Sequence, residues 1–334
     1  GDARASLDHF EALIEAEAIA CDHQPVGRFT GAWTPAHYEA LRAKAERLAR
    51  DTGGRAYLVP REAQGDYIGS DRYFGGMVVE RTAGIHPARY LSGLLDAVLR
   101  RDGVTALDRT PATGVSGGPG AFRVTTPRGT IEARDVLVAV NGYAGAATPW
   151  ERARAIPVAS DVIATEEIGE NRVRDLFPQG HMMGETKRIL NYFRPSPDGR
   201  RVILGGRATF GAAPDVARAA RTLHGRLVEI FPQLDGVRLS HAWSGNVAFS
   251  VRRLPHMGAH DGVHYCFGCN GSGVAMMSYL GHRSALKLLG TEERPCGFER
   301  LGPIRLPFYN GRPWFLPAVG NFWALRDRIE RARA

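Results

Sequence analysis

Apolar residues recur at helical spacing in three segments of the chain, 7–20, 35–50 and 88–101. Each segment predicts an amphipathic helix. Thr34 precedes the second helix as an N-cap, and the polar and glycine residues 51–54 end it. The third helix has the strongest pattern. Its predicted buried side consists of Leu91, Leu94, Leu95, Val98 and Leu99.

Shorter apolar runs between these helices predict strands. Residues 27–33 form one strand, and the sequences YLV, DYIGS and YFGGMVVE supply short pieces between 56 and 80. Five consecutive apolar residues end at Asn141 and Gly142, which is typical of a strand buried on both faces in a parallel sheet. Because α/β proteins bind cofactors at the carboxyl ends of such strands, this turn is a candidate binding edge.

Between 157 and 250 the pattern changes to longer antiparallel strands. The sequences ILNYFRP and RRVILGGR predict a hairpin around 196–199, and a helix over 215–230 precedes the strand VRLSHAWSGNVAFS. These elements predict a second sheet, separate from the one that contains 135–145.

The strongest candidate site is the stretch VHYCFGCNGSGVAMMSYLGHRSALKLLG, residues 263–290. An apolar strand ends in a loop that contains Gly268, Gly271 and Gly273, and this loop opens directly into a helix. Such a loop presents free backbone N–H groups and the positive end of the helix dipole, which suits a negatively charged ligand. A structural turn, in which the glycines only end the strand and allow close helix packing, is the alternative.

Composition limits the function classes. The 334 residues, 44% of them hydrophobic and 23% charged, indicate a globular protein, and we expect two interleaved domains. No apolar run is long enough to span a membrane, and the first residues are acidic and helical rather than typical of a signal peptide. We therefore expect a cytoplasmic protein.

Charge and cysteine content narrow the partners further. The net charge is +8, but only three of the 43 basic residues are lysines and the arginines are scattered. This distribution argues against nucleic acid and leaves anionic small molecules plausible. Cys266 and Cys269 form a CxxC without a second metal-binding pair, so we expect small buried thiols beside the loop and no metal.

Five segments occur in an order that is typical of one family, over about residues 20–290. They are YFGGMVVERTAGIHPARYLSGLL, VLVAVNGYAG, ILNYFRPSPDGRRVILGGR, HAWSGNVAFSVRRLPHMG and YCFGCNGSGVAMMS. The chain resembles the flavin-dependent amine and amino-acid oxidases, which include D-amino acid oxidase, glycine oxidase and sarcosine oxidase. It is most similar to the γ-glutamylputrescine oxidase-like branch of that family.

The resemblance implies that FAD is the cofactor and that a small-molecule amine is the substrate. The implied reaction is hydride transfer from the carbon that bears the amine, followed by hydrolysis of the imine, and it needs no protein nucleophile. Asn141 and Gly142 would lie near the adenosine or the pyrophosphate. The glycine loop would stabilise the negative charge that reduced flavin carries around N1 and O2. The loop residues that would pass under the isoalloxazine edge are Gly268, Asn270, Gly271, Ser272, Gly273 and Val274.

The resemblance also implies that the substrate groups come from the second sheet. Tyr192 and Arg194 lie on the first hairpin strand, and Trp243 and Asn246 lie on the strand that leads back to the loop. The weaker candidates are His181 and Arg207.

One departure from the family concerns the substrate. Its amino-acid oxidases carry an arginine shortly after the tryptophan of this strand, and that arginine clamps the substrate carboxylate. Here Asn246, Val247 and Ala248 occupy those positions. Because asparagine cannot replace a bidentate arginine clamp, a primary or secondary amine suits the chain better than a simple α-amino acid.

A second departure concerns the cofactor. The family begins with a strand, a GxGxxG turn and a later acidic residue, and the chain contains none of these. We therefore expect FAD to bind poorly to this chain alone, with the missing segment either truncated or supplied by a second polypeptide. The alternative is a non-catalytic remnant, or a subunit of a heteromeric flavin oxidoreductase, that does not bind FAD alone.

The expected fold class is α/β, with an FAD-binding doubly wound sheet, incomplete at its N-terminus, and an interleaved substrate domain built on an antiparallel sheet. The expected FAD-binding parts are 1–26, 84–150 and 253–334. The expected substrate-domain parts are 27–83 and 151–252.

Overall fold

The computed structural model of the protein describes residues 1–208, 215–292 and 294–334. The helices of these residues are α1 (Asp2–Ala16), α2 (Pro35–Thr52), α3 (Pro87–Leu99), α4 (Pro149–Arg152), α5 (Glu170–Leu176), α6 (Val216–Ile230), α7 (Gly273–Leu288) and α8 (Leu316–Ala332). The strands are β1 (Arg28–Gly31), β2 (Ala56–Val59), β3 (Gly76–Val79), β4 (Gly114–Gly118), β5 (Ala121–Thr126), β6 (Gly129–Ala133), β7 (Leu137–Val138), β8 (Ile156–Thr165), β9 (Met182–Glu185), β10 (Asn191–Pro195), β11 (Val202–Gly206), β12 (Leu239–Phe249), β13 (His256–His260) and β14 (Val263–Phe267). The α/β class that the sequence predicts is confirmed.

The chain divides into two compact units, each built from three stretches of sequence. The first unit contains Gly1–Cys21, Pro87–Val158 and Asn246–Pro313. The second unit contains Asp22–His86, Ala159–Gly245 and Trp314–Ala334. The roles of the two units, binding FAD and binding substrate, stay a prediction.

The end of the chain differs from the expected division, which grouped 253–334 together. Helix α8 belongs to the second unit. Its buried Asp327 accepts hydrogen bonds from Arg188 Nη1 at 3.1 Å and from the Ile189 N–H at 3.0 Å. Trp33 Nε1 also donates to the Asp327 carbonyl at 3.3 Å. These contacts join residues far apart in sequence, so local patterns do not predict them.

The first unit contains two three-stranded sheets. One has the order β13-β14-β7, and the other has the order β4-β5-β6. Strands β14 and β7 are parallel, as predicted, with Tyr265 opposite Val138. The expectation of a strand over the whole apolar run, buried on both faces, is wrong, because β7 contains only Leu137 and Val138, and Leu137, on the face opposite to the buried Val138, is only partly buried.

Helix α3 corrects a second expectation. Its type is as predicted, but the predicted buried leucine side is largely exposed: Leu91, Leu95, Val98 and Leu99 are between 37% and 67% exposed. The helix instead buries Tyr90 and Ala97. Gly93 lies between them on this face, and a Cβ there would meet Ile19 Cγ2 at 2.6 Å. The close approach of Ile19 excludes a side chain at position 93 and brings this side of the helix inward, which leaves the leucines outside.

Helix α2 of the second unit follows its sequence signals. The Thr34 side chain accepts a hydrogen bond from the His37 N–H at 3.2 Å, and Pro35 occupies the first turn. Gly53 ends the helix in the left-handed region, at φ 64°. Between α2 and β3 the predicted DYIGS strand is wrong, since a 3-10 helix at Arg61–Asp66 and a turn occupy this stretch.

The second unit is built on an eight-stranded sheet with the order β12-β8-β11-β10-β9-β1-β3-β2. The hairpin of β10 and β11 is as predicted, with Phe193 opposite Leu204. One face of the sheet is the main core, where these two residues and Phe29 pack with Leu223 and Leu227 of α6. This face is closed to any ligand because its side chains are fully buried.

The opposite face of the sheet is covered only in part within the second unit. Met77 of β3 packs there against Leu41 and Ala45 of α2. Tyr192 lies opposite Gly184 of β9 on one side and Gly205 of β11 on the other. Since directly opposed residues share a face, this row lies on the same side of the sheet as Met77. We call the row and its neighbours the open face.

In the first unit Asp2 fastens the start of α1 to the region around α7. Its carboxylate accepts hydrogen bonds from Tyr279 Oη at 2.6 Å, the Gly297 N–H at 2.8 Å and Arg294 at 2.9 Å. Burial alone raises the pKa of this carboxyl, but the three hydrogen bonds outweigh burial and lower it to about 2. The ionised form is therefore the one that stabilises the fold.

We expect Asp2→Asn to lower the free energy of unfolding by about 1–2 kcal/mol at pH 6, because it removes a charge-assisted network. Because the pKa of Asp2 is lowered in the folded protein, its ionised carboxylate stabilises the fold at pH values above the ordinary pKa. This stabilisation is lost as the pH falls to the folded pKa of about 2, so the difference in unfolding free energy between the two proteins should shrink between pH 4 and 2. Urea unfolding at several pH values measures this. Asp102→Asn, an exposed aspartate of the same unit, is the control, and an equal deficit at all pH values would contradict the assignment.

Candidate functional site

Two parallel strands of the first unit end at the same edge and bring the predicted cofactor residues together. Strand β7 leads to Asn141, and β14 leads to the glycine loop at 268–273. Cys269 Sγ lies 3.8 Å from Asn141 Oδ1. The structure therefore places the two predicted segments side by side, as expected of the carboxyl edge of a parallel pair.

Positive φ angles shape this edge. Gly268 and Gly271 have φ 81° and 93°, and Asn141 and Asn270 have φ 49° and 51°. Asparagine is one of the few residues besides glycine that adopts this region readily, so the sequence NGSG and the Asn-Gly pair at 141 are suited to their turns. A Cβ on Gly271 would meet nothing within 4 Å, which leaves the space over the loop open.

Helix α7 starts at Gly273 without a capping side chain. Ser272 stands at the N-cap position, but its hydroxyl makes no capping hydrogen bond. The first N–H groups of a helix have no partner inside the helix, and the helix dipole adds partial positive charge there. Val274, in the first turn, is 42% exposed. The loop therefore offers backbone donors to a negatively charged group.

Two asparagine side chains hold the strand β12 end to this loop. Asn141 Oδ1 accepts from the Ala248 N–H at 3.0 Å, and Asn270 Oδ1 accepts from the Ser250 N–H at 3.0 Å. The Asn270 N–H donates to the Ala248 carbonyl at 3.1 Å. Both amide oxygens thus position the loop, and Ala248 is fully buried between them.

Gly142 and Asn246, predicted for cofactor and substrate respectively, are neighbours in the first unit. A Cβ on Gly142 would meet the Asn246 backbone carbon at 3.0 Å. Tyr143 Oη accepts a hydrogen bond from the Asn246 N–H at 2.9 Å. The close approach explains a glycine at 142, and Tyr143 is a site neighbour that sequence reasoning missed.

The CxxC cysteines are buried free thiols, as predicted. Burial raises the pKa of Cys266 to about 11, and a hydrogen bond from Ser284 only partly offsets this. A thiol of this kind stays protonated at neutral pH and is a poor nucleophile. Cys266 is therefore not a candidate nucleophile of the site.

Tyr192 lies on the open face of the second unit. Its ring lies over Gly205, where a Cβ would collide with it, and its hydroxyl is 2.6 Å from Ser160 Oγ. Burial raises the pKa of Tyr192, the charge of Asp161 acts in the same direction, and the Ser160 hydrogen bond opposes them. The phenol therefore keeps its proton at neutral pH and can donate.

Arg194 shares the open face but has its donors engaged. Its Nε donates to the Pro195 carbonyl at 2.9 Å, Nη1 to the Ile85 carbonyl at 2.9 Å and Nη2 to Gln24 Oε1 at 3.1 Å. These bonds brace the segment around Gln24 and Ile85. A substrate role for Arg194 would have to displace them, and it stays a prediction.

The remaining substrate candidates are dispersed in the second unit. Trp243 on β12 is 47% exposed. The Nδ1–H group of His181 donates a hydrogen bond to the Val26 carbonyl, and the ring stacks on Tyr67 with ring centres 5.8 Å apart. Burial lowers the pKa of Arg207, and Asp161 opposes this. Nothing in these contacts joins the three into one site.

Sequence reasoning missed Arg28, Ser160 and the two glycines of the open face. The strand register is the signal that identifies these residues. Tyr192 lies opposite Gly184 and Gly205, and side chains two residues farther along the neighbouring strands lie on the same face as Tyr192. A sequence without its pairing partners does not show this register.

The first unit fits the flavin that the resemblance implies. The uncapped start of α7 and the open space over Gly271 suit the negatively charged edge of a reduced isoalloxazine ring. Asn141 and Asn270 fix the loop in that form. A GxGxxG turn for the pyrophosphate does not occur in the chain.

Within the described residues, no helix combines the length and the hydropathy that crossing a membrane requires.

Comparison with known proteins agrees with the geometry of the first unit. The family described as FAD dependent oxidoreductase matches residues 3–285. The γ-glutamylputrescine oxidoreductase of Escherichia coli (strain K12) is 31% identical over 321 residues, which cover 95% of this chain and 74% of that protein. Of the two alternatives for the missing segment, the comparisons give no support to a second polypeptide.

Solved structures show the same fold. Glycine oxidase from Geobacillus kaustophilus has a TM-score of 0.73 at 18% identity, covering 89% of this chain and 80% of that one. Iminodiacetate oxidase from Chelativorans sp. BNC1 has a TM-score of 0.73 at 16% identity, covering 90% and 84%. With the family match over most of the chain, these findings show that the protein belongs to the FAD-dependent oxidoreductases.

Proposed function

We propose that the protein oxidises the C–N bond of an extended amine such as γ-glutamylputrescine, giving an imine that water hydrolyses. The observation that carries the proposal is the uncapped start of α7 beside the open Gly271. It offers donors and a positive dipole end where a reduced flavin becomes negative. The name of the relative from Escherichia coli supports the substrate class.

When bound, FAD supplies the hydride acceptor. The backbone around Gly271, Gly273 and Val274 would hold its negative edge. Asn141 and Asn270 keep that backbone in place through their hydrogen bonds to the end of β12. Such preorganised donors stabilise developing charge without having to reorient during the reaction.

Tyr192 and Ser160 are the groups that we propose to orient the substrate. Their hydroxyls share one hydrogen bond of 2.6 Å, so one hydroxyl proton of the pair remains available. Because the pKa of Tyr192 is raised, the pair is neutral and can donate to a polar group of the amine substrate. Orientation of the carbon that loses hydride is the main task left to the protein.

The segment that clamps the carboxylate in amino-acid oxidases has another task here. The Ala248 N–H and carbonyl bind Asn141 and Asn270, and the Asn246 N–H binds Tyr143. The segment braces the glycine loop and carries no cation. This arrangement favours an amine over a simple α-amino acid as the substrate.

The direct test is anaerobic reduction of the FAD-loaded protein by γ-glutamylputrescine. We expect the visible flavin bands to bleach, since hydride transfer reduces the cofactor, and we expect glycine to bleach them at least about tenfold more slowly because the carboxylate clamp is absent. Stopped-flow absorbance measures both rates. Faster bleaching by glycine would overturn the substrate assignment, and bleaching by neither compound would overturn the function.

Gly271→Ala tests the loop. An alanine at φ 93° is strained, and its methyl group enters the open space over the loop, so we expect the dissociation constant for FAD to rise about tenfold or more. Fluorescence quenching of added FAD measures it. Gly281→Ala in α7, the helix that follows the loop, where a Cβ also meets nothing within 4 Å, is the control. Equal FAD affinity in all three proteins would place the flavin elsewhere.

Tyr192→Phe tests the substrate side. Losing one hydrogen bond to the substrate should lower kcat/KM for γ-glutamylputrescine about three- to tenfold. Tyr57→Phe, a tyrosine of similar exposure on β2, should leave kcat/KM unchanged. An unchanged value for Tyr192→Phe, or an equal fall in both variants, would remove Tyr192 from the site.

A further inference from the structure

Arg28 stands beside Tyr192 on the open face, and the mechanism above does not use it. On β1, Arg28 lies opposite Met182, and two residues along β9 Gly184 lies opposite Tyr192. Residues i and i+2 of a strand share a face, so Arg28 and Tyr192 project to the same side. Phe29, the next residue of β1, belongs to the core on the other side.

The glycine at 184 allows the Arg28 side chain to lie flat across β9. A Cβ at Gly184 would meet Arg28 Nη2 at 2.6 Å and its Cζ at 3.3 Å. Gly205 does the same for the Tyr192 ring. The open face therefore carries a guanidinium over Gly184 of β9 and a phenol over Gly205 of β11, each held flat over a glycine, which is a built arrangement rather than a mobile surface arginine.

Arg28 has no anionic partner. Among the residues that the structure describes, its guanidinium makes no hydrogen bond and no ion pair. The carboxylate nearest to Gly184 in sequence, Glu185, points to the other face, where it binds Tyr73 Oη at 3.1 Å and Lys187 Nζ at 2.8 Å. Every donor of Arg28 is thus left for a ligand.

Arg28 and Lys44 place two positive charges near each other at this point. Burial lowers the pKa of Arg28, and no acidic group opposes it. Burial also lowers the pKa of Lys44 on α2, and the charge of Arg28 lowers it further. A half-buried cation beside another cation is destabilising unless an anion joins them.

We propose that Arg28 binds a carboxylate of the amine substrate, at the end opposite to the carbon that is oxidised. The guanidinium fork matches a carboxylate in two parallel hydrogen bonds. Strands β1 and β10 are separated by β9, and their register offsets Arg28 from Tyr192 by two residues, so the two Cα atoms are anchored about 12 Å apart. An extended amine with a remote carboxylate spans such a distance, and a γ-glutamyl group supplies that carboxylate. This inference rests on the proposed function and names what recognises its substrate.

The experiment compares γ-glutamylputrescine with putrescine, which lacks the carboxylate, in the FAD-loaded protein and in Arg28→Gln. We expect the KM for γ-glutamylputrescine to rise about 10- to 100-fold with kcat nearly unchanged, the range of one charge-assisted interaction. The KM for putrescine should stay the same. Arg28→Lys should recover part of the loss, and Arg55→Gln, an exposed arginine beside β2, should behave as the unaltered protein.

A second readout does not depend on turnover. Calorimetric titration with γ-glutamylbutylamide, which keeps the carboxylate and lacks the terminal amine, should show at least about tenfold weaker binding to Arg28→Gln. An equal rise in KM for both amines in Arg28→Gln would mean that Arg28 has a structural role. An unchanged KM and an unchanged calorimetric affinity would mean that the carboxylate binds elsewhere. If neither amine bleaches the flavin of the unaltered protein, the proposed function fails, and the titration alone still decides the role of Arg28.

Discussion

The candidate site depends on the hydrogen bonds that two asparagine side chains make to the end of β12. Asn141 and Asn270 follow different strands, and both hold the backbone of Ala248 or Ser250. Three stretches that are far apart in sequence thereby meet at one edge. These hydrogen bonds fix the N–H donors at the uncapped start of α7. Donors stabilise developing charge effectively because they are already fixed in place.

The second unit presents its candidate substrate groups on a sheet, whereas the first unit presents its backbone donors on a loop. Its core face is largely apolar, and its open face keeps polar groups that lie flat over Gly184 and Gly205. A rigid sheet fixes the separation of those groups by the strand spacing, so it is suited to selecting an extended molecule by its length. The first unit thus provides preorganised charge, and the second unit provides spaced polar anchors.

Local signals in the sequence predicted many of the elements. Features that depend on how the strands pair were not predicted. The Thr34 cap, the Gly53 stop and the glycine loop were correct because each depends on neighbours in sequence. The open face was missed because it requires the register of β9, β10 and β11. The burial of α3 was predicted wrongly because a close neighbour at Gly93 overrides the leucine pattern. The hydrogen bonds of Arg194 were not predicted, because the backbone carbonyls that accept them belong to no recognisable motif.

The exposed leucines of α3 have a consequence for how the chain behaves in concentrated solution. Leu91, Leu95 and Val98 follow one another along the helix surface and leave an apolar stripe in water. Contiguous apolar surface promotes association between molecules. Sulfate and other salts that strengthen apolar burial therefore favour clustering of this chain, and low concentrations of urea disperse it.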